Sequence, residues 1–372
     1  MPDRRIRIGA VGCGGFGLFA LEHFTQVPGV ELFGVADTDP GKASEVAGRF
    51  SVGAFRDAAS LVEQPDVDLI YIATPPFLHY PHSMLALQAG KHVICEKPLA
   101  LSLQDADEMM DKARQGGLLL VCNLMQRYNP LFEAVRRVVA DGVLGQPLHG
   151  YFENYAKDEP LPAGHWFWDR VKSGGIFVEH AVHFFDLFEG WLGPGKVEAA
   201  QRAIRPDTSI EEHVQCTVRY GPTVLVNFYH GFHQPARLDR QETRLVFERG
   251  DVTLEGWIPT AARIRAIADE KDTRRLCELF PGAALKTIEA YNGAHRLCTG
   301  RHKRLDVCQM MELAYDLGQT KEQCYGYLLR AMLQDQVAWL RDPEHERLIT
   351  AENGRQSLAV ALEADRLARQ AS

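Results

Sequence analysis

The glycine cluster Gly12-Cys13-Gly14-Gly15-Phe16-Gly17 follows directly on the apolar run IRIGAV and opens an amphipathic stretch. Few features restrict a fold as strongly. G-x-G-x-x-G at such a junction predicts a strand, a tight turn and a helix: Gly12 permits the turn, Gly14 lets backbone approach a pyrophosphate, and Gly17 lets helix and strand pack closely. Alone, the pattern also fits a plain tight turn. Its surroundings decide. The apolar runs ELFGVAD, DLIYIAT, HVICE and LLLVC alternate with amphipathic stretches at 16–26, 40–49, 78–89 and 102–116. Such alternation predicts βαβ units and a doubly wound parallel sheet, here over residues 1–124.

In a sheet of this kind, ligands sit outside the carboxyl ends of the strands. Asp37 ends the second run, where a carboxylate can accept both hydroxyls of an adenosine ribose and repel a 2′-phosphate, which favours NAD over NADP. Asp39, followed by Pro40, reads instead as the cap of the next helix. Ala73-Thr74-Pro75-Pro76 turns the chain off the sheet, with His79 at the following helix start. On the same edge, HVICE ends at Glu96-Lys97-Pro98, placing an ammonium at the mouth of an apolar strand, where it needs a partner or a task.

From residue 125 the pattern changes. RYNPLFEAVRRVVADG reads as a helix started by Asn129-Pro130, and HVQCTVRY, TVLVNFYHGF, TRLVFE and DVTLEGW read as long alternating strands. Residues 218–224 form a hairpin turn, so this second sheet is expected to be largely antiparallel. One face needs helical cover, and the other, expected to bear Phe228, Tyr229, Val246 and Phe247, would join subunits as a homodimer or homotetramer. Glu179, His183 and Asp186 recur at helical spacing and share one face within an otherwise apolar helix. A structural hydrogen-bond chain and a catalytic set are both readings of that stripe; its coincidence with Lys97 and a cofactor turn favours the second. A metal reading of Glu179, His180 and His183 is weaker, because the spacing is not H-E-x-x-H and Lys97 would repel a cation. Trp166 and Trp168 suit either a ring-stacking wall for a polyol or an ordinary aromatic cluster. Arg127 and Tyr128, just past the domain junction, are expected within reach of the cleft. Residues 258–305 lack clear periodicity and read as an insertion, and Thr350 starts a terminal helix.

The chain has 372 residues, 24% charged, with formal net charge −8 and no Lys/Arg block, so neither nucleic acid nor an anionic membrane surface is an expected partner. Eight cysteines without C-x-x-C spacing fit reduced core thiols, and with no apolar signal segment before the first strand the expected compartment is the cytoplasm.

GCGGFG, Asp37, ATPP with His79, AGKHVICEKPLA and the stretch from Ser173 to Asp186 together resemble the glucose–fructose oxidoreductase / inositol dehydrogenase / MocA family, over the chain to about residue 257. The patterns above set the expected domains: an N-terminal Rossmann domain, 1–124, and an α+β domain, 125–372, with a large, mostly antiparallel open sheet. To these the resemblance adds the site. It implies that Gly12, Gly14, Gly17, Asp37, Thr74, Pro75, His79, Glu96 and Lys97 surround NAD, with Gly15 and Phe16 in the same turn. It further implies that Lys97, Glu179 and His183 are catalytic and the Lys97–Pro98 peptide cis. Apart from the resemblance, the position of His180, Arg127, Tyr128, Trp166 and Trp168 in the chain makes them the expected substrate-side residues. Two departures stand out: Glu179 where the family has aspartate, and Ala181 where it has glycine. The expected activity is oxidation of a secondary alcohol on a sugar, cyclitol or related polyol. The rivals are a cofactor-assisted glycoside-cleaving enzyme and a non-catalytic dinucleotide sensor.

Overall fold

A computed structural model describes residues 4–162 and 164–371. It divides into two compact units that interleave along the chain: Met1–Tyr128 with Leu161–Asp186 and Tyr325–Glu363, and Asn129–Pro160 with Leu187–Cys324 and Ala364–Ser372.

The first unit is built on β1 (Ile6–Val11), α1 (Gly15–Phe24), β2 (Val30–Ala36), α2 (Pro40–Phe50), β3 (Gly53–Phe55), α3 (Ala58–Val62), β4 (Leu69–Ile72), α4 (His79–Gln88), β5 (His92–Cys95), α5 (Leu103–Gly116) and β6 (Leu120–Cys122). All six strands are parallel, in the order β3-β2-β1-β4-β5-β6. This is the expected doubly wound sheet. Only β3, a three-residue strand at the edge, is announced by no apolar run. Every residue of β4 is buried, as expected of a parallel strand covered on both faces. Asp39 caps α2 by accepting from the amides of Gly41 and Lys42, as its position before Pro40 predicts.

The second unit begins with α6 (Pro130–Asp141), capped by Asn129, and β7 (Pro147–Lys157). Between β7 and the rest of this unit run the short α7 (Arg170–Ser173), one turn of π-helix (Phe177–Ala181) and α8 (Val182–Leu192). Then follow β8 (Gly195–Ile204), β9 (Glu211–Tyr220), β10 (Val224–Gln234), β11 (Arg240–Phe247), β12 (Gly250–Glu255), β13 (Ala261–Ala268), α9 (Glu270–Leu279), β14 (Ala284–Ala290), the hairpin β15 (Leu297–Gly300) and β16 (Lys303–Asp306), and β17 (Gln309–Asp316). Nine of these strands form one sheet, β14-β17-β13-β12-β11-β7-β10-β9-β8, antiparallel except where β7 meets β10. The chain ends in α10 (Lys321–Arg341) and α11 (Ala351–Gln370).

Two expectations for this region are corrected. Residues 258–305 are not a uniform insertion: β13 is an interior strand between β12 and β17, and only β14 and the hairpin are peripheral. Its sequence AARIRAIA does alternate, but arginines on the outward positions disguise the period. The open face also cannot carry Phe228, Tyr229, Val246 and Phe247 together. Adjacent strand residues point to opposite faces, so Phe228 and Phe247 are buried whereas Tyr229 and Val246 lie on the other side.

Candidate active site

The site is assembled within the first unit, at the carboxyl edge of its parallel sheet. After β1 the backbone turns through Gly12 at φ +103°, where a Cβ would come within 2.6 Å of the Ala73 carbonyl oxygen. A Cβ on Gly17 would equally meet the Gly12 carbonyl oxygen at 2.6 Å. These two glycines are therefore demanded by the protein's own packing. Gly14 and Gly15 differ: they are exposed, and a Cβ on either would meet nothing within 4 Å. Their smallness serves no packing inside the chain and leaves a bare backbone at the start of α1, which Gly14 caps without a side-chain hydrogen bond. The open amides there suit a phosphate. Phe16 is half-buried, its ring 6.0 Å from that of Tyr325.

Asp37 follows β2 and ties the turn together. Its Oδ2 accepts from the Cys13 amide at 2.7 Å and its Oδ1 from the Asp39 amide at 2.8 Å. Each carboxylate oxygen still has a lone pair, enough for ribose hydroxyls. The glycine turn and Asp37 thus fit a dinucleotide.

At the ends of β4 and β5 stand Thr74, Pro75, Glu96 and Lys97, and the Lys97–Pro98 peptide is cis. Glu96 is buried, and one of its oxygens accepts from both Tyr71 Oη and Asn123 Nδ2 at 2.7 Å. Burial pushes its carboxyl above the usual carboxylate range, with those two donors and Lys97 pulling back. Lys97 projects toward the turn before α8. Its Nζ donates to the backbone oxygen of Glu179 at 2.7 Å and to Glu179 Oε1 at 2.6 Å.

That double contact has a structural cause the spacing did not reveal. Residues 177–181 form a π turn, whereas helical periodicity predicts an uninterrupted α-helix through Glu179 and His183. A π turn is wider than an α turn and is often found at functional sites. Here the Glu179 carbonyl and its side chain both face one ammonium. Two of the three Lys97 N–H bonds are thereby used, and one remains for a further acceptor. His183, in the first turn of α8, is buried, and burial, aided by the Lys97 charge, holds its imidazole well below the usual histidine range. The ring is therefore neutral near pH 7 and able to accept a proton.

The remaining expected residues fall elsewhere. Arg127 makes a bidentate pair with Asp186, its Nε and Nη2 each 2.8 Å from a carboxylate oxygen. Its Nη2 also lies 2.8 Å from the Asp186 carbonyl oxygen. With side chains only 11% and 2% exposed, this is a buried ion pair and not a hand offered to substrate. Tyr128 donates to Asp335 at 2.5 Å, turned toward α10. Aromatic rings run in series through the loop before α7: His165–Trp166 at 5.2 Å, Trp166–Phe167 at 6.2 Å and Phe167–Trp168 at 4.7 Å. Both tryptophans are half-buried, as is His180, whose ring lies 6.0 Å from that of Phe184. Residues missed in the sequence include Asn123, behind Glu96, and Asn353, at the start of α11, which hydrogen-bonds Asp186. Asn353 stands too far along the chain for any local pattern to point to it.

Comparison with known proteins agrees with this architecture. Residues 6–124 match a family model described as an oxidoreductase family with an NAD-binding Rossmann fold, and residues 132–253 match the GFO/IDH/MocA C-terminal domain. A scyllo-inositol 2-dehydrogenase (NAD(+)) of Bacillus subtilis is 28% identical over 51% of this chain and 55% of its own length. A 1,5-anhydro-D-fructose reductase of Ensifer adhaerens is 31% identical over 56% of this chain and 63% of its own. The chain thus spans little more than half the length of the curated relatives it matches. Among solved structures, the WlbA dehydrogenase of Bordetella pertussis, in complex with NADH and UDP-GlcNAcA, superposes with a TM-score of 0.79 at 21% identity, covering 100% of this chain and 98% of that one. At that identity the likeness is one of fold.

Proposed function

Because this chain belongs to the GFO/IDH/MocA oxidoreductase family, we propose that it is an NAD-dependent dehydrogenase interconverting a secondary alcohol and a ketone on a sugar, cyclitol or similar polyol. One observation carries the reading: an ammonium with a single unused N–H stands beside a buried, neutral imidazole at the carboxyl edge of a dinucleotide-type sheet. The glycine turn, Asp37 and the ends of β4 and β5 would hold NAD, which would supply the hydride acceptor. His183 takes the hydroxyl proton of the substrate as its C–H bond is broken. Lys97 donates its free N–H to the same oxygen and stabilises the negative charge that grows there. Glu179 is a positioning residue: it fixes Nζ by two oxygens so that only the third N–H can turn to substrate. In the reverse direction the imidazole returns the proton and the same ammonium polarises the carbonyl.

Asp37 supports NAD over NADP, since a 2′-phosphate would meet a carboxylate. The eight unpaired thiols support a reducing compartment such as the cytoplasm. The uncovered face of the nine-stranded sheet supports assembly as a homo-oligomer.

The test is a panel of sugars, cyclitols and polyols with NAD or NADP, read by absorbance of the reduced cofactor and by product analysis. A ketone product with matching NADH formation is expected, and Asp37→Ala should narrow the preference for NAD by about tenfold, the worth of one such contact. Cleaved glycoside without net NADH would redirect the assignment to the eliminating reaction. Cofactor binding with no turnover on any member would favour a sensor.

A further inference from the structure

His79 opens α4 and is 1% exposed, and it stands between two backbone segments of the active-site edge. Its Nδ1 lies 2.6 Å from the carbonyl oxygen of Pro98, and its Nε2 lies 2.8 Å from the carbonyl oxygen of Thr74. Both polar atoms of the ring are thus committed to the protein, so the side chain has no donor left for a dinucleotide. A neutral imidazole donates to one of the two carbonyls, and an imidazolium donates to both. Burial pushes the ring down to about 4, outweighing the pull of the two carbonyls, and the charges of Lys97 and His82 add to that push. At neutral pH the bridge therefore holds one N–H···O bond and one close nitrogen–oxygen contact.

The two carbonyls belong to segments with different duties. Thr74 follows β4 on the carboxyl edge of the sheet, where a parallel sheet of this kind binds its ligand, while Pro98 follows the residue that supplies the ammonium. We propose that His79 is a positioning residue for hydride transfer: its ring spans these segments and sets the distance between the cofactor-facing loop and Lys97. This rests on the dehydrogenase reading above. Hydride transfer is sensitive to such distances, because a displacement of about 1 Å can cost on the order of a hundredfold in rate.

The experiment compares unaltered protein with His79→Phe and His79→Asn by NADH fluorescence titration and by steady-state kinetics on a polyol that the unaltered protein oxidises. For His79→Phe, kcat should fall about tenfold or more, within the range expected of misplacement, while NADH affinity and substrate KM stay within about threefold. His79→Asn retains a donor for one carbonyl and should recover part of kcat. Unchanged kcat in His79→Phe overturns the proposal. So does NADH affinity that falls in step with kcat, which would make His79 a cofactor contact. Should His79→Phe not fold, the asparagine variant carries the kinetic test. Nitrogen-15 resonances of the histidine ring in the unaltered protein give a second reading: one slowly exchanging ring proton is expected, and rapid exchange at both nitrogens contradicts the bridge. An unaltered protein that binds NADH yet oxidises no polyol defeats the dehydrogenase reading and leaves the bridge to that resonance.

Discussion

Strand β4 of the first unit buries all four of its residues, whereas β9 of the second alternates buried positions with half-exposed or exposed ones. The first pattern belongs to a sheet covered on both faces, the second to a sheet covered on one. The consequence is where polar chemistry can stand. A fully buried strand such as β4 has no room for a charge, and Thr74, Glu96, Lys97 and Asn123 stand instead at the carboxyl ends, where a few groups converge. In the antiparallel sheet, polar and aromatic side chains are spread along a whole face. Tyr155 and Tyr229 pack at 5.0 Å, Arg240 lies over Tyr155, and Thr217 bonds Asn227 at 2.8 Å, without convergence on a single atom. Single substitutions should therefore be costly in the first unit and mild on the open face of the second.

The largest expected effect is at Arg127. Replacing it with Met leaves Asp186 buried without its bidentate partner, and breaking a buried pair from one side costs about 3–5 kcal/mol. Asp186 is already pushed above the usual carboxylate range by burial, and losing the guanidinium pushes it further. A carboxyl raised in the fold favours the folded state below its unfolded pKa and loses that contribution as pH rises through the folded pKa. The Arg127→Met deficit should accordingly be full near pH 7 and shrink on acidification, as denaturant titrations at several pH values would reveal. A deficit below about 1 kcal/mol would show that this interior tolerates a lone carboxylate and would erase the contrast with the open face.

Next comes Lys97. Lys97→Met keeps the stem and removes the charge, and turnover should drop by about a hundredfold or more with NADH affinity preserved. Near-normal turnover would make Lys97 a structural partner of Glu179 and nothing else. Glu179→Asp should cost less, about tenfold, because the shorter side chain withdraws from the 2.6 Å contact while the backbone oxygen keeps its own at 2.7 Å. Were Glu179→Asp to match the parent, the longer carboxylate would be a tolerated variant without bearing on the pocket.

How much of this was legible depends on whether a feature is local. The glycine turn, the capping role of Asp39 and the parallel order of the first sheet follow from spacing and strand–helix alternation, which act over a few residues. That Lys97 needs a partner was legible from its place at the mouth of an apolar strand, and the resemblance set it beside Glu179 and His183. The form of the contact was not legible, because nothing in FVEHA announces a π turn, and the turn is what brings the Glu179 carbonyl to the lysine. Arg127 and Tyr128 were misdirected for a related reason. Their partners Asp186 and Asp335 are distant in sequence, so an exposed role looked as plausible as a buried pair. β13 was overlooked because Arg263 and Arg265 occupy its exposed positions, and alternation of Arg with Ala and Ile reads as irregular unless the buried face is known.

The smallest effect belongs to the open sheet. Tyr229 is half-buried there, its ring packed at a tilt against that of Tyr155, with its hydroxyl 3.5 Å from His233. Tyr229→Ser should cost only about 0.5–1.5 kcal/mol, the worth of one aromatic pair, because the core face of β10 carries Phe228 and is untouched. If this face joins subunits, however, the same substitution removes an aromatic anchor from the interface, where truncation can cost about 2 kcal/mol or more in association. Light scattering across a dilution series separates the two. The unaltered protein should keep an oligomer's mass to lower concentration than Tyr229→Ser, while the melting temperature of the two at high concentration differs by a few degrees. Identical masses at every dilution would place the subunit contact elsewhere, and a loss of several kcal/mol in the isolated chain would mean that the open face is as tightly determined as the catalytic edge.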